Sequence, residues 1–171
     1  MGLRPAKIYR KKPSKPYTRV SEKKGKGYIS GAPAPKISIF EMGNKEREFS
    51  QKVTLRVEKG CGIRDNALEA MRIASNSYLR KNLTPENYNL RIPIYPHHIL
   101  RYHPQAGVAQ ADRYYSGMKK PFGRPTGRSA LVDDNQEVLI IKVDEGDIDA
   151  AKKAAERGGM KIPVSFRVRV E

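Results

Sequence analysis

Val53-Thr54-Leu55-Arg56-Val57, then Gly60-Cys61-Gly62, then Asp65-Asn66-Ala67-Leu68 follow one another almost without a gap, and the change of period across them decides the fold. Apolar residues alternate through 53–57, the pattern of a half-buried strand. The glycines on either side of Cys61 predict a tight turn, and Asp65 is placed to cap a helix. From there Leu68, Met71, Ser75, Tyr78 and Leu79 recur at spacings of three and four, with Ala67, Ala70 and Ala74 beside them. That stripe predicts one helix ending near Asn82, with Pro85 just beyond it.

Working outward, Ile37-Ser38-Ile39-Phe40 alternates like a strand on the N-terminal side. On the other side, residues 90–94, 98–102 and 137–143 read as three more strands. Asp147 is placed to cap a short helix carrying Ile148, Ala151, Ala154 and Ala155, which Gly158-Gly159 stops. Residues 164–170 alternate strictly. The order ββαββ…βαβ predicts an α+β fold, a mostly antiparallel sheet with two helices. No internal repeat is present. Between about 103 and 130 the periodicity is lost, and so long an aperiodic stretch inside a compact domain points to function or disorder.

The 171 residues suit one domain, and 38% hydrophobic content allows a modest core to which part of the chain contributes nothing. The longest β-like apolar run, Val138-Leu139-Ile140-Ile141, falls far short of the roughly 20 residues of a spanning helix, so no membrane partner is expected. No apolar region of a secretory signal follows Met1, and Gly2 lacks the Ser or Thr of a myristoylation site. The single cysteine, Cys61, excludes an intramolecular disulfide and reads as a small buried hydrophobe. An intracellular, soluble chain is expected.

Its formal net charge is +16, and the charge is segregated. Residues 1–36 hold eleven Lys/Arg and one acid, Glu22, while residues 97–128 hold six and one, Asp112. Segregation into two blocks predicts a face for a polyanion. The first block, with Pro5, Pro13, Pro16, Pro33 and Pro35, reads as an extended arm over 1–36 that orders only against RNA, because it cannot bury enough surface alone. Its candidate phosphate contacts are Arg4, Lys7, Arg10, Lys11, Lys12 and Lys15, continued by Arg19, Lys23, Lys24 and Lys26. Tyr9, Tyr17 and Tyr28 are available to stack or pack. Residues 37–171 form the body. In the second block Arg101, Arg113, Lys119, Lys120, Arg124 and Arg128 are the candidate cations, with Phe122 as a stacking anchor. Glycines between them let backbone approach phosphate closely.

Other chemistry fits poorly. Strand alternation puts His97 and His98 on opposite faces, and with Cys61 distant and no carboxylate cluster nearby no metal site is expected. A nuclease would need an acid/base pair among His97, His98 and His103, which read better as ordinary polar positions or RNA contacts. Residues 59–64 lack the spacing of a phosphate-binding nucleotide loop. The acids Asp133, Asp134, Asp144, Glu145, Asp147 and Asp149 suit turns, helix starts and a solvated face turned away from RNA. No catalytic residue and no cofactor is predicted.

Gly117-Met118-Lys119-Lys120-Pro121-Phe122-Gly123-Arg124-Pro125-Thr126-Gly127 resembles the signature of a universal large-subunit ribosomal protein family, protein sixteen of bacteria and ten-e of archaea and eukaryotes. Gly117, Met118, Phe122, Gly123, Pro125 and Gly127 match it, Lys119 and Arg124 preserve charge, and Lys120-Pro121 replaces the usual Gly-Ala. Arg4-Pro5-Ala6, Tyr9-Arg10 and Lys15-Pro16-Tyr17 resemble the archaeal–eukaryotic N-terminus. Asn66-Ala67-Leu68-Glu69 with Arg72-Ile73-Ala74 resembles the first helix. Pro96–Arg101 resembles the central strand, and Gly107 with Ala111-Asp112-Arg113 the loop before the signature. Tyr102-His103-Pro104-Gln105 stands where an Asn-Lys-Met run is common. The resemblance spans essentially the whole chain, its archaeal branch most closely. It implies a hammerhead-like α/β fold, a place in the cytoplasmic ribosome among neighbouring ribosomal proteins, binding to large-subunit rRNA, and proximity to the A-site and P-site tRNAs. The long loop would point to the peptidyl transferase centre, and the family is not catalytic. The alternative is a general nucleic-acid-binding protein outside the ribosome.

Overall fold

The computed structural model describes residues 3–14, 16–18, 29–102 and 123–171. Among them are eight strands and two α-helices: β1 (Glu41–Gly43), β2 (Gln51–Val57), β3 (Cys61–Arg64), α1 (Asp65–Asn82), β4 (Tyr88–Arg91), β5 (His98–Tyr102), β6 (Arg124–Val132), β7 (Glu137–Val143), α2 (Ile148–Gly159) and β8 (Phe166–Val170). Every strand pair is antiparallel, in a five-stranded sheet ordered β1-β4-β7-β2-β8 and a three-stranded sheet ordered β3-β6-β5. The α+β expectation with two helices is met.

Two of the chain's turns join the sheets. β2 pairs with β7 in one and β3 with β6 in the other, so a single two-stranded ribbon bends from sheet to sheet. The bend falls where Gly60 faces Asp133 to Asn135. Asn135 takes φ 58°, its amide donates to the Val57 carbonyl at 2.9 Å, and Asp134 accepts the Gly60 amide. Inside the bend lies one core. Val53, Leu55, Leu139 and Ile141 from the larger sheet join Cys61, Ile63, Ala130 and Val132 from the smaller, under Leu68, Met71 and Leu79 of α1. The helices lie against each other closely: Ser75 Oγ donates to the Ala154 carbonyl at 3.0 Å, beside Gly158.

The strands at 98–102 and 137–143, and the helix ending at Asn82, run as the sequence predicts. Four local expectations are corrected. Ile37–Phe40 is not a strand: Ile37 is buried but Ile39 is exposed, and regular pairing begins only at Glu41. Asp65 is the first residue inside α1 and not its cap. Its carboxylate accepts the amides of Asn66 at 2.9 Å and Lys36 at 3.1 Å, so it holds the end of the arm to the helix start. Asp147 flanks α2 but makes no side-chain capping bond; the helix does end at Gly159 as expected, with both glycines packed where no room exists for a side chain. Cys61-Gly62 continues from a turn into β3.

The largest difference concerns the aperiodic stretch. Its last residues, from Arg124, form the first part of the nine-residue β6, central in the smaller sheet. Pro125 and Gly127 hide that strand from any alternation rule. The structure accommodates them where β3 no longer runs alongside, since β3 pairs only with Ser129–Val132, and a register shift opposite Leu100/Arg101 takes up the extra residue.

Candidate nucleic-acid interface

The described part of the arm lies on the smaller sheet. Residues Ala6–Arg10 form a short 3-10 turn beside β3, with the Tyr9 carbonyl in ordinary van der Waals range of a Cβ at Gly62. Composition alone predicts an arm that orders only against RNA. Three arginine–tyrosine pairs, each joining arm to body, explain why the described part can lie against the protein instead. The Arg4 guanidinium sits 5.3 Å from the Tyr102 ring centre, Arg64 sits 5.1 Å from Tyr9, and Arg101 sits 4.5 Å from Tyr17. Each pair covers an aromatic face with a cation that keeps its N–H groups available at the rim. Tyr9 and Tyr17 therefore pack within the protein, and Tyr28 lies outside the described residues.

Backbone and side-chain bonds reinforce the docking. Arg64 donates to the Arg4 carbonyl at 2.9 Å, Arg10 to the Pro163 carbonyl at 3.1 Å, and Arg128 to the Pro33 carbonyl at 2.7 Å. Lys12 pairs with Asp133. Arg10, Lys12 and Arg128, candidates for phosphate, are thus already engaged in holding the arm. The acids predicted to form a solvated face are likewise partly engaged, Asp133 by Lys12 and Asp144 by Arg47 at 2.5 Å.

Between arm and sheet runs a cleft of about 360 Å3, into which Arg4, Lys36, Arg64, Arg101 and Arg124 converge. Its single carboxylate among the described residues, Asp65, is buried and already accepts two backbone amides. Among the described residues the lining holds five cations and one carboxylate, a balance that focuses a positive potential suited to an anionic partner. Four are arginines, whose planar forks match phosphate oxygens two at a time. Lys7 and Lys11 stand exposed on the arm just outside.

Sequence reasoning placed Arg4, Arg101 and Arg124 among the candidates, and the structure brings all three to the cleft. It missed Lys36 and Arg64. The available signal was Arg64 closing the basic segment that starts at Lys59, a cation at the junction of strand and helix. Lys15, Arg19, Lys23, Lys24, Lys26, Arg113, Lys119, Lys120 and Phe122 lie outside the described residues, as does His103. His97 is exposed with its ring 4.8 Å from that of Tyr95, whereas His98 is buried, so the two do not form an acid/base pair. Among the described residues no cluster of His, Cys, Asp and Glu could hold a metal ion, and no helix is long and apolar enough to cross a membrane.

Comparison with known proteins shows which family this α+β body belongs to. Residues 12–169 match the model of the family described as Ribosomal protein L16p/L10e. The chain belongs to the L16p/L10e ribosomal protein family. It is 39% identical, over its whole length and 94% of the relative's, to the large ribosomal subunit protein uL16 of Archaeoglobus fulgidus. It is 41% identical to the proteins of that name from Hyperthermus butylicus, over 99% of the chain and 94% of the relative, and from Thermofilum pendens, over 100% and 98%. The L16p/L10e match begins at residue 12, within the arm, and ends at residue 169, within β8. Family membership makes the chain a large-subunit ribosomal protein of the archaeal branch, cytoplasmic on the ribosome, and a structural constituent instead of an enzyme.

Proposed function

We propose that the chain binds large-subunit rRNA through the cleft between arm and smaller sheet, and that its long loop supports the A-site and P-site tRNAs near the peptidyl transferase centre. The convergence of Arg4, Lys36, Arg64, Arg101 and Arg124 on one cleft carries this reading. A sugar–phosphate backbone laid there meets cations from four separated parts of the chain at once, so its fold is recognised along with its charge. Lys7 and Lys11 extend the contact along the arm. The candidates outside the described part, Lys15, Arg19, Lys23, Lys24, Lys26, Arg113, Lys119, Lys120 and Phe122, belong to the same proposal through the sequence blocks that contain them.

The rRNA half is tested by footprinting large-subunit rRNA with wild type and with Arg4, Arg64 and Arg124 all changed to Ala. Protection lost at a discrete rRNA site supports the cleft, while an unchanged footprint removes it. The tRNA half rests on the resemblance of residues 107–127 to the family signature. Deleting Gly107–Ala111 should leave the melting of the free protein close to wild type, because closure entropy changes only slowly with loop length. Ribosomes reconstituted with that variant should make peptide poorly. Normal synthesis would leave the loop a scaffolding role alone.

A further inference from the structure

β5 is the outer strand of the smaller sheet, and among the described residues the arm meets its free edge at Tyr17. The Ile99 amide donates to the Tyr17 carbonyl at 2.7 Å, and the Tyr17 amide donates to His98 Nδ1 at 2.9 Å. The two rings meet edge to face with centres 6.4 Å apart, and Arg101 covers the tyrosine. A side-chain nitrogen therefore stands in for a backbone carbonyl in what would otherwise be a strand pairing. An imidazole nitrogen accepts a hydrogen bond only while it carries no proton.

We infer that His98 is the positioning residue of the arm: its neutral imidazole, protonated at Nε2, latches Tyr17 to the edge of β5, and a proton arriving on Nδ1 sets N–H against N–H and releases it. The arm so released is the one that brings Arg4 and Tyr9 to the cleft, and the inference rests on the rRNA reading for that consequence alone. The surroundings favour the neutral form. From the arm, Lys11 and Tyr9 line the cavity beside His98. β6 contributes Ser129, and β3 contributes Gly62 there and Arg64 on the far side of Ser129. Arg101 of β5 itself stands over Tyr17. Every charged group among these is a cation, and among the described residues no carboxylate lines that cavity.

Burial pushes the His98 pKa below its ordinary value. With the docked value below the released value of about 6.5, docking is complete above that pH and weakens as pH falls through the docked value, up to about tenfold per pH unit in the window.

The test uses the full chain and follows amide exchange at Tyr17, corrected for the intrinsic effect of pH and taken relative to the core amide of Leu55. Wild type should lose relative protection between pH 7.5 and 5.5, by at most about tenfold. His98→Asn, whose Oδ1 can replace Nδ1 but does not titrate, should stay protected at both values. His98→Leu should be unprotected at both. Flat protection in wild type overturns the latch, as does a loss in His98→Asn as large as in His98→Leu. Should His98→Leu not fold, the wild-type and His98→Asn profiles decide between them. Failure of the rRNA reading shows separately, as an unchanged footprint for the Arg4, Arg64 and Arg124 variant at pH 7.5, above the range in which His98 takes up a proton.

Discussion

Cys61 has no exposed surface, and burial pushes its thiol up to about 11. Thiolate is the nucleophile, so raising the value from 9.0 by that much removes about 99% of the reactive form at any pH below both values, before access is counted. Alkylation by iodoacetamide at pH 8 should therefore be more than about 100-fold slower in the native chain than in urea. Similar rates in the two would mean that β3 opens readily. At the same scale, the Tyr88 hydroxyl donates to Asn76 Oδ1 at 2.8 Å, both residues being buried. Tyr88→Phe keeps the ring but strands that amide oxygen away from water, and should lower unfolding free energy by about 1–3 kcal/mol. Denaturant melts would show it, and a change near zero would mean water reaches Asn76.

Between elements, the contacts that matter are those a local pattern cannot encode. α1 and α2 meet where a Cβ on Gly158 would collide with Ser75 Oγ and stand 3.1 Å from Met71 Cγ. Gly158→Ala should cost about 1–3 kcal/mol despite the better helix propensity of alanine, because the buried neighbours on α1 must move. A stabilising outcome in thermal melts would mean the helices pack less closely than described. The arm's contact with β3 can be measured too. Arg64 bonds the Arg4 carbonyl and covers Tyr9. A double-mutant cycle of Arg64→Ala and Tyr9→Ala should give a coupling of about 0.5–2 kcal/mol in arm protection. Additive effects would reduce that pair to coincidence.

Across the whole molecule the decisive quantity is charge arrangement. With binding resting on phosphate neutralisation, log K for an rRNA fragment should fall linearly with log salt, by roughly 0.7–0.9 per phosphate. Changing Arg4, Arg64 and Arg124 to Ala should flatten that slope by about two to three units. The double change Arg10→Ala with Lys12→Ala should alter it less, since those side chains already serve the Pro163 carbonyl and Asp133. Equal effects from both variants would assign the arm's docking cations to RNA as well. Much of the fold was legible beforehand. α1, β2 and β8 each declare themselves through spacings that one element satisfies by itself, three and four for the helix, two for the strands.

What the residues determined alone, then, were the helices, most of the strands, a basic chain with an arm, and a family resemblance that full-length relatives support. β6 was not among them, because a strand holding Pro125 and Gly127 is defined by neighbours on β5 and β3 that hydrogen-bond to it from elsewhere in the chain. Nor was the division of the chain's cations. Arg10, Lys12 and Arg128 look no different in sequence from Arg4 and Arg124, yet the first three find acceptors within the protein and the others meet in the cleft. Charge is a property of a residue and can be counted along the chain. Whether that charge is spent internally or offered to a partner depends on which acceptors folding brings within about 3 Å, and only the tertiary structure decides that.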